Sequence, residues 1–347
     1  MEESGVPKEE VVDITMLESV ARRVFPAAGS VSLEPASPNR LLAVYRVRAD
    51  DTVCYLRVAE EAGQDLTTDA RLLARLAGLG VRVPEVVHVE SDPSDLDRSF
   101  LVVAALDGDS LARHGTDAQA CHAARAAGRD SAVISSQEVD GFGWVRRDGR
   151  PGLRAESDTY ADFAVSDLPA QWPGWLAGAF TTSELESLEA LVAEECQRPA
   201  FRAHLAHGDL DVTHIWVDRH GRYTGIIDFG EIRGADPCFD LGHFLLHDRD
   251  TRPQSLFEDF LAGYAEAGPL PEGHPEQVRR SAILSGLRQL SLWLGPQRGY
   301  SPARRPARLR ITRLRGLLAA GSGLPGRPDG PRRILGHYRP MEGHFRY

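Results

Sequence analysis

The 347-residue sequence predicts a bilobal α+β chain: a small N-terminal lobe with an antiparallel five-stranded sheet and one helix, then a larger, mainly helical C-terminal lobe. Three observations lead there. Short stretches of period two recur between residues 31 and 104, one strongly periodic helical stretch interrupts them, and beyond Asp107-Gly108 the pattern is mostly helical.

Ile14, Leu17, Val20, Ala21 and Val24 recur at helical spacing and predict an opening amphipathic helix over 14–24. The period then changes to two, so 31–33, 41–47 and 53–58 read as three strands of an antiparallel meander, broken at 35–40 and 49–51. Residues 69–79 follow as a helix, with Leu72, Leu73, Leu76 and Leu79 on the apolar face and Gly80 as its stop. Two more strands, 86–89 and 100–104, flank the polar turn 91–98. This lobe spans 1–104.

In the second lobe, 105–320, residues 117–127 are rich in helix formers. Residues 182–196 open on Thr182-Ser183 before Glu184 and carry Leu185, Leu188, Leu191 and Val192, as a capped amphipathic helix does. Between them, 131–180 hold Gly, Pro, Trp144, Trp172 and Trp175 without a clear period. Such a segment is either a lid or binding loop, or an irregular loop anchored to the core by its aromatics. Helices are expected over 253–267, 276–294 and 303–318, and 321–347 reads as an extended basic tail.

The formal net charge of −10 argues against a nucleic-acid partner. The acidic start, Met-Glu-Glu-Ser-Gly, lacks an apolar leader, and no apolar run is long enough to span a bilayer, so no membrane partner and a cytoplasmic location are expected. Cys54, Cys121, Cys196 and Cys238 lie far apart with neither zinc-site nor disulfide-framework spacing. Lys8 is the only lysine in the chain. Nothing in the sequence sets the oligomeric state.

The most informative stretch is His207-Gly208-Asp209-Leu210-Asp211-Val212-Thr213-His214, followed by Ile226-Ile227-Asp228-Phe229-Gly230. Residues 215–217 alternate as a strand, 218–221 form a turn and 223–227 a return strand. That hairpin brings Asp209, on the loop before it, and Asp228, at its end, to the same side. Two carboxylates so placed suit phosphoryl transfer, one facing a hydroxyl nucleophile and the other a metal on the nucleotide.

With these blocks, and Gly234-Ala-Asp-Pro-Cys-Phe-Asp-Leu at 234–241, the sequence resembles the aminoglycoside phosphotransferase family of small-molecule kinases, a branch of the protein-kinase-like fold. Weaker agreement runs through Gly80-Val-Arg-Val-Pro84, Phe100-Leu-Val-Val103, Leu106-Asp-Gly108 and Val139-Asp-Gly-Phe-Gly143, and the likeness covers roughly 14–320. The resemblance implies that Asp209 is the catalytic base, that Asp228 binds Mg2+, and that His207 and Asp240 brace the catalytic loop. It implies ATP or GTP as phosphate donor and a small hydroxyl compound as acceptor.

Departures from the family pattern fall on the nucleotide side. His214 stands where the family usually has Asn, a second metal ligand, although some sequences resembling macrolide phosphotransferases carry His there. Its ring either binds the metal or hydrogen-bonds the loop. Where the family places a lysine on the third strand, this chain has Arg57, with Asp69 in place of the helical glutamate. Arginine still donates to phosphate through its fork, whereas an outward-facing Arg57 would be plain surface. The first two strands are joined without a glycine-rich loop, with Ser37 and Asn39 there instead. The linker from Val103 to Ala105 would meet the base.

For the acceptor, Asp211, Glu231, Asp236 and parts of 140–180 are the candidates. Acids there would suit a polyamine sugar, and tryptophans would suit stacking on a sugar or macrocycle. The leading expectation is a phosphotransferase acting on an aminoglycoside- or macrolide-type antibiotic or a related metabolite. A metabolic sugar or amino-alcohol kinase of the same fold and a nucleotide-binding pseudokinase regulator are the alternatives.

Overall fold

The computed structural model describes residues 14–36, 44–93, 96–166, 168–296 and 298–321. Lys8, Ser37, Asn39, the start of the 41–47 strand and all but the first residue of the basic tail lie outside them.

In the small lobe, β1 (Val31–Pro35), β2 (Val44–Ala49), β3 (Thr52–Val58), β4 (Val86–Glu90) and β5 (Phe100–Ala104) form one antiparallel sheet in the order β1-β2-β3-β5-β4. Strand periodicity sorts its two faces. Cys54, Leu56 and Val58 of β3 and Phe100 and Val102 of β5 bury against Leu17, Val20 and Ala21 of the opening helix α1 (Ile14–Val24). The opposite face, with Arg57, looks toward α2 (Thr67–Gly78), so each face carries one helix. α2 starts two residues before the expected position, after N-cap Leu66, and the Asp65 carboxylate just ahead of it accepts the Thr67 N–H at 2.9 Å.

After the linker, β6 (Asp109–Ser110) pairs with β11 (Ile215–Val217), which pairs with β12 (Tyr223–Ile226); this is the expected hairpin with one added strand. α3 (Asp117–Ser135) opens on a Thr116/Gln119 capping box and runs eight residues past the stretch rich in helix formers. Gly128, which weakens the local helix signal, is where α3 crosses α8 (Phe257–Ala267). A Cβ there would lie 2.0 Å from the Phe260 carbonyl oxygen, and one at Gly263 would lie 1.9 Å from that of Arg125.

Residues 131–180 are more regular than their pattern indicates. β7 (Glu138–Val139), β8 (Phe142–Val145) and β9 (Ala155–Ser157) join β10 (Ala203–Ala206) and β13 (Arg233–Ala235) in a second five-stranded sheet, ordered β7-β10-β13-β8-β9. β7 and β8 pair with β10 and β13, some 60–90 positions away, which no local period reveals. Short helices α4 (Tyr160–Val165) and α5 (Trp172–Leu176) follow. Trp172 is buried among α6 (Thr182–Cys196), α9 (His274–Leu294) and α10 (Arg305–Ala320), with Trp175 partly buried beside it, and the Arg233 guanidinium lies 4.3 Å from the Trp144 ring centroid. The tryptophans thus anchor the segment. α7 (Phe239–His247) runs through the middle of the lobe. No described helix is long and apolar enough to cross a membrane.

Candidate active site

β10 delivers the chain into His207-Gly208-Asp209, and α7 holds it there. The buried Asp240 carboxylate, on the first turn of α7, accepts the N–H groups of His207 and Gly208 at 2.8 and 3.0 Å. Burial pushes that carboxyl up to about 6 despite these two donors. Gly208 has φ +91°, and a Cβ would lie 1.9 Å from the Glu231 carbonyl oxygen, so only glycine lets the two loops touch. His207 is fully buried, and burial lowers its pKa to about 4. A carbonyl can only accept, so the neutral ring donates from Nε2 to Ile227 O at 2.9 Å, while Nδ1 faces the Asp209 N–H at 3.4 Å. His207 and Asp240 therefore hold the loop from both sides.

Asp228 follows β12 in the left-handed conformation, φ 68° and ψ 65°, a strained backbone for a residue with a Cβ. The turn brings its Oδ2 to 3.7 Å from His214 Nε2, and Asp209 Oδ2 approaches the same nitrogen at 3.8 Å. His214 Nδ1 donates to Asp209 O at 2.6 Å, which leaves Nε2 directed between the two carboxylates. Burial opposes charge on His214, yet Asp209, Asp211 and Asp228 together raise its pKa. Burial likewise pushes Asp209 up to about 7, against the pull of His214 and with the repulsion of Asp211, Glu231 and Asp228.

Two histidines that the motifs do not contain complete this end. His243 Nε2 lies 3.4 Å from Asp209 Oδ1, and its ring stacks on His247 with centroids 4.4 Å apart. His247 Nδ1 lies 3.7 Å from Asp211 Oδ2. Their spacing of four on the helix whose first turn carries Asp240 was the available signal, because it puts both rings on one face.

On the side where a nucleotide is expected, Arg57 reaches Asp69 end-on, Nη1 to Oδ1 at 3.4 Å. The closer partner is Arg147, from the turn after β8, whose Nε and Nη2 meet Asp69 Oδ2 and Oδ1 at 2.8 and 3.0 Å. The run Arg146-Arg147-Asp148-Gly149 reads locally as an exposed polar turn, so nothing in the sequence singles Arg147 out. Arg57 nevertheless faces the cleft: a Cβ built on Gly230 would meet Asp228 Oδ1 at 3.2 Å and both Arg57 terminal nitrogens at 3.6 Å. In the linker, Val103 pairs with Tyr55, and Ala105 gives its N–H to Val53 O at 3.1 Å. That donor reaches a base only if the strand contact opens.

The acids considered for the acceptor are separately engaged. Asp211 accepts the N–H and hydroxyl of Thr213, and His214 and His247 help outweigh burial and hold its carboxyl low. Glu231 Oε2 is 3.1 Å from Arg233 Nη2. Asp236 is 5% exposed and takes Arg198 and the Cys238 N–H, both at 2.7 Å. Of the three, Asp211 and Glu231 add repulsion that raises the Asp209 carboxyl.

For a divalent cation the chain offers the Asp228 oxygens and His214 Nε2. No group of three or more ligating side chains gathers among the described residues. A site with so few protein ligands fits Mg2+, which keeps several waters and takes further oxygens from nucleotide phosphates.

Residues 32–278 match the model of the phosphotransferase enzyme family APH. The protein YcbJ of Bacillus subtilis (strain 168), itself uncharacterized, is 38% identical over 60 residues, and this match spans 17% of the chain and only 19% of that relative's length. Among solved structures, aminoglycoside phosphotransferase APH(4)-Ia is similar with a TM-score of 0.64 at 19% identity, covering 90% of this chain and 100% of that one. A thermostable mutant of it, in a ternary complex with ADP and hygromycin B, gives 0.63 at 18% identity over 88% and 99%. Macrolide 2'-phosphotransferase MphH from Brachybacterium faecium gives 0.52 at 21% identity over 85% and 97%. At these identities the likeness is one of fold.

Proposed function

The chain belongs to the APH phosphotransferase family, and on that footing we propose that it moves the γ-phosphate of ATP or GTP to a hydroxyl of a small molecule, an antibiotic or a related metabolite. The observation that carries this is the placement of the Asp209 and Asp228 carboxylates within 3.8 and 3.7 Å of one imidazole nitrogen, at the same end of one hairpin. Asp209 accepts the proton of the acceptor hydroxyl as its oxygen attacks the γ-phosphorus; the bond to the β-phosphate oxygen breaks and the nucleoside diphosphate leaves. Asp228, with His214 Nε2, would hold Mg2+, which when bound offsets negative charge on the phosphates. His207 and Asp240 keep Asp209 in line without touching substrate. Arg57 would meet the donor's phosphates as a bidentate donor.

The acceptor side favours a neutral or weakly charged hydroxyl compound over a polycation. A polyamine would compete with Arg233 for Glu231 and with Arg198 for Asp236, and would displace the Thr213 contacts of Asp211. This supports the macrolide-like or metabolite end of the range.

The test is nucleotide consumption by the purified chain with Mg2+ and ATP or GTP, against a panel of aminoglycosides, macrolides, sugars and amino alcohols. Asp209→Asn is expected to lower turnover of the true acceptor by roughly 10²–10⁴-fold. Unchanged turnover would rule out the assigned base.

A further inference from the structure

We propose that Arg147 is a positioning residue: it takes over the Asp69 carboxylate from Arg57, ties the small lobe's helix to the metal-side turn, and thereby leaves Arg57 to bind the donor's phosphates. The proposal rests on the phosphotransferase reading above.

A carboxylate with 2% of its side chain exposed must be matched by hydrogen-bonded positive charge, or its desolvation is uncompensated. Two arginines reach Asp69, and they are not equal. Arg147, with 9% of its side chain exposed, makes the two-pronged contact that a guanidinium fork is shaped for. Arg57, 18% exposed, makes one contact at 3.4 Å. The Asp69 charge is thus met chiefly from the C-terminal lobe.

The same guanidinium continues past Asp69. Its Nη2 donates to Gly230 O at 2.9 Å and Phe229 O at 3.4 Å, the two residues after Asp228. One planar cation therefore joins α2 to the turn that aims the Asp228 carboxylate. A lysine ammonium, a point charge without the fork, could not span these acceptors in one plane.

The turn carrying Arg147 is docked along its length. Asp65 N–H donates to Arg147 O at 2.7 Å, and Arg71 Nη1 donates to Gly149 O at 2.7 Å and Arg150 O at 3.3 Å. Arg146 pins the other side of the turn to Ala155 O and Glu156 O. Gly149 has φ +70°, a left-handed conformation that favours glycine, and its Cα lies close beneath the Asp65 carboxylate, where a Cβ would fall 2.2 Å from Oδ2. Arg147 is held by backbone on both flanks, as a positioning group must be.

If Arg147 were removed, Asp69 would draw Arg57 onto itself and away from the cleft. That consequence distinguishes positioning from plain support, because removing the Asp69 charge as well should release Arg57 again. The experiment measures calorimetric dissociation constants of the full chain for the non-hydrolysable imido analogues of ATP and GTP with Mg2+, with thermal unfolding checking that each variant folds.

Arg147→Met is expected to weaken binding by about tenfold or more, and adding Asp69→Asn to it to restore binding to within about threefold of the parent. A dissociation constant unchanged in Arg147→Met, or a double variant no tighter than the single one, overturns the proposal. Should Arg147→Met not unfold cooperatively, Arg147→Gln removes the charge but keeps a side-chain N–H donor; weakened binding that Asp69→Asn restores supports the assignment, and unchanged binding overturns it. A parent chain that binds neither analogue overturns the phosphotransferase reading itself, and this proposal with it.

Discussion

At the scale of single residues, Asp209 carries the clearest pH signature. Its folded pKa of about 7 lies above the ordinary aspartate value of 3.8, chiefly through burial. For an acid the sign is then fixed: the protonated native state is favoured, so the stabilisation is complete below pH 3.8 and is lost as pH rises through about 7. Replacing Asp209 with Asn removes that pH dependence. Its melting temperature, relative to the parent without nucleotide or metal, should gain more at pH 8 than at pH 4; an equal gain at both would contradict the assignment. The His207-Gly208-Asp209 and Asp228-Phe229-Gly230 blocks made two carboxylates and their support legible in sequence, because loop chemistry of this kind is written in adjacent residues. His243 and Arg147 were not legible in the same way, since each acts on a residue more than 30 positions away.

At the scale of elements, packing overrides local propensity where glycine permits close approach. Glycine weakens a helix by roughly 1 kcal/mol against alanine, and Gly128 accordingly obscured the second half of α3. In the fold it is what lets α3 and α8 cross with backbone against backbone. Gly263→Ala, with its Cβ 1.9 Å from Arg125 O, should destabilise by about 1–3 kcal/mol, measured by denaturant unfolding with an unchanged m-value. Stability equal to the parent would mean the helices separate without penalty. The α6 start shows the opposite case. There a cap before Glu184 was expected from Thr182-Ser183 and the structure forms it one residue earlier, Thr181 and Glu184 satisfying each other's backbone N–H groups in a capping box that spans four adjacent residues.

Across the whole molecule, one hydrophobic cluster is continuous from α2 through the β11–β12 hairpin to α8, while α1 with the far side of the first sheet, and α5, α6, α9 and α10, form two others. The Arg57–Asp69–Arg147 side of the site therefore sits where the two lobes share packing, and ligand binding there should stabilise both together. A Mg2+–nucleotide complex at about a hundred times its dissociation constant contributes roughly 2.7 kcal/mol. The melting temperature should rise accordingly in the parent, and much less in Asp228→Asn, as a thermal-shift titration would read directly. By itself the sequence determined the five-stranded first sheet ahead of a mainly helical region, the family and the closeness of the Asp209 and Asp228 carboxylates, because period, turn chemistry and short motifs are properties of neighbouring residues. Only the tertiary structure decided that 131–180 supplies strands to a second sheet, that Asp236 belongs to Arg198, and that Asp69 is held by Arg147. Those outcomes depend on which distant group meets a buried charge or an unpaired strand edge first, and the contacts that settle them exist only once the chain has closed.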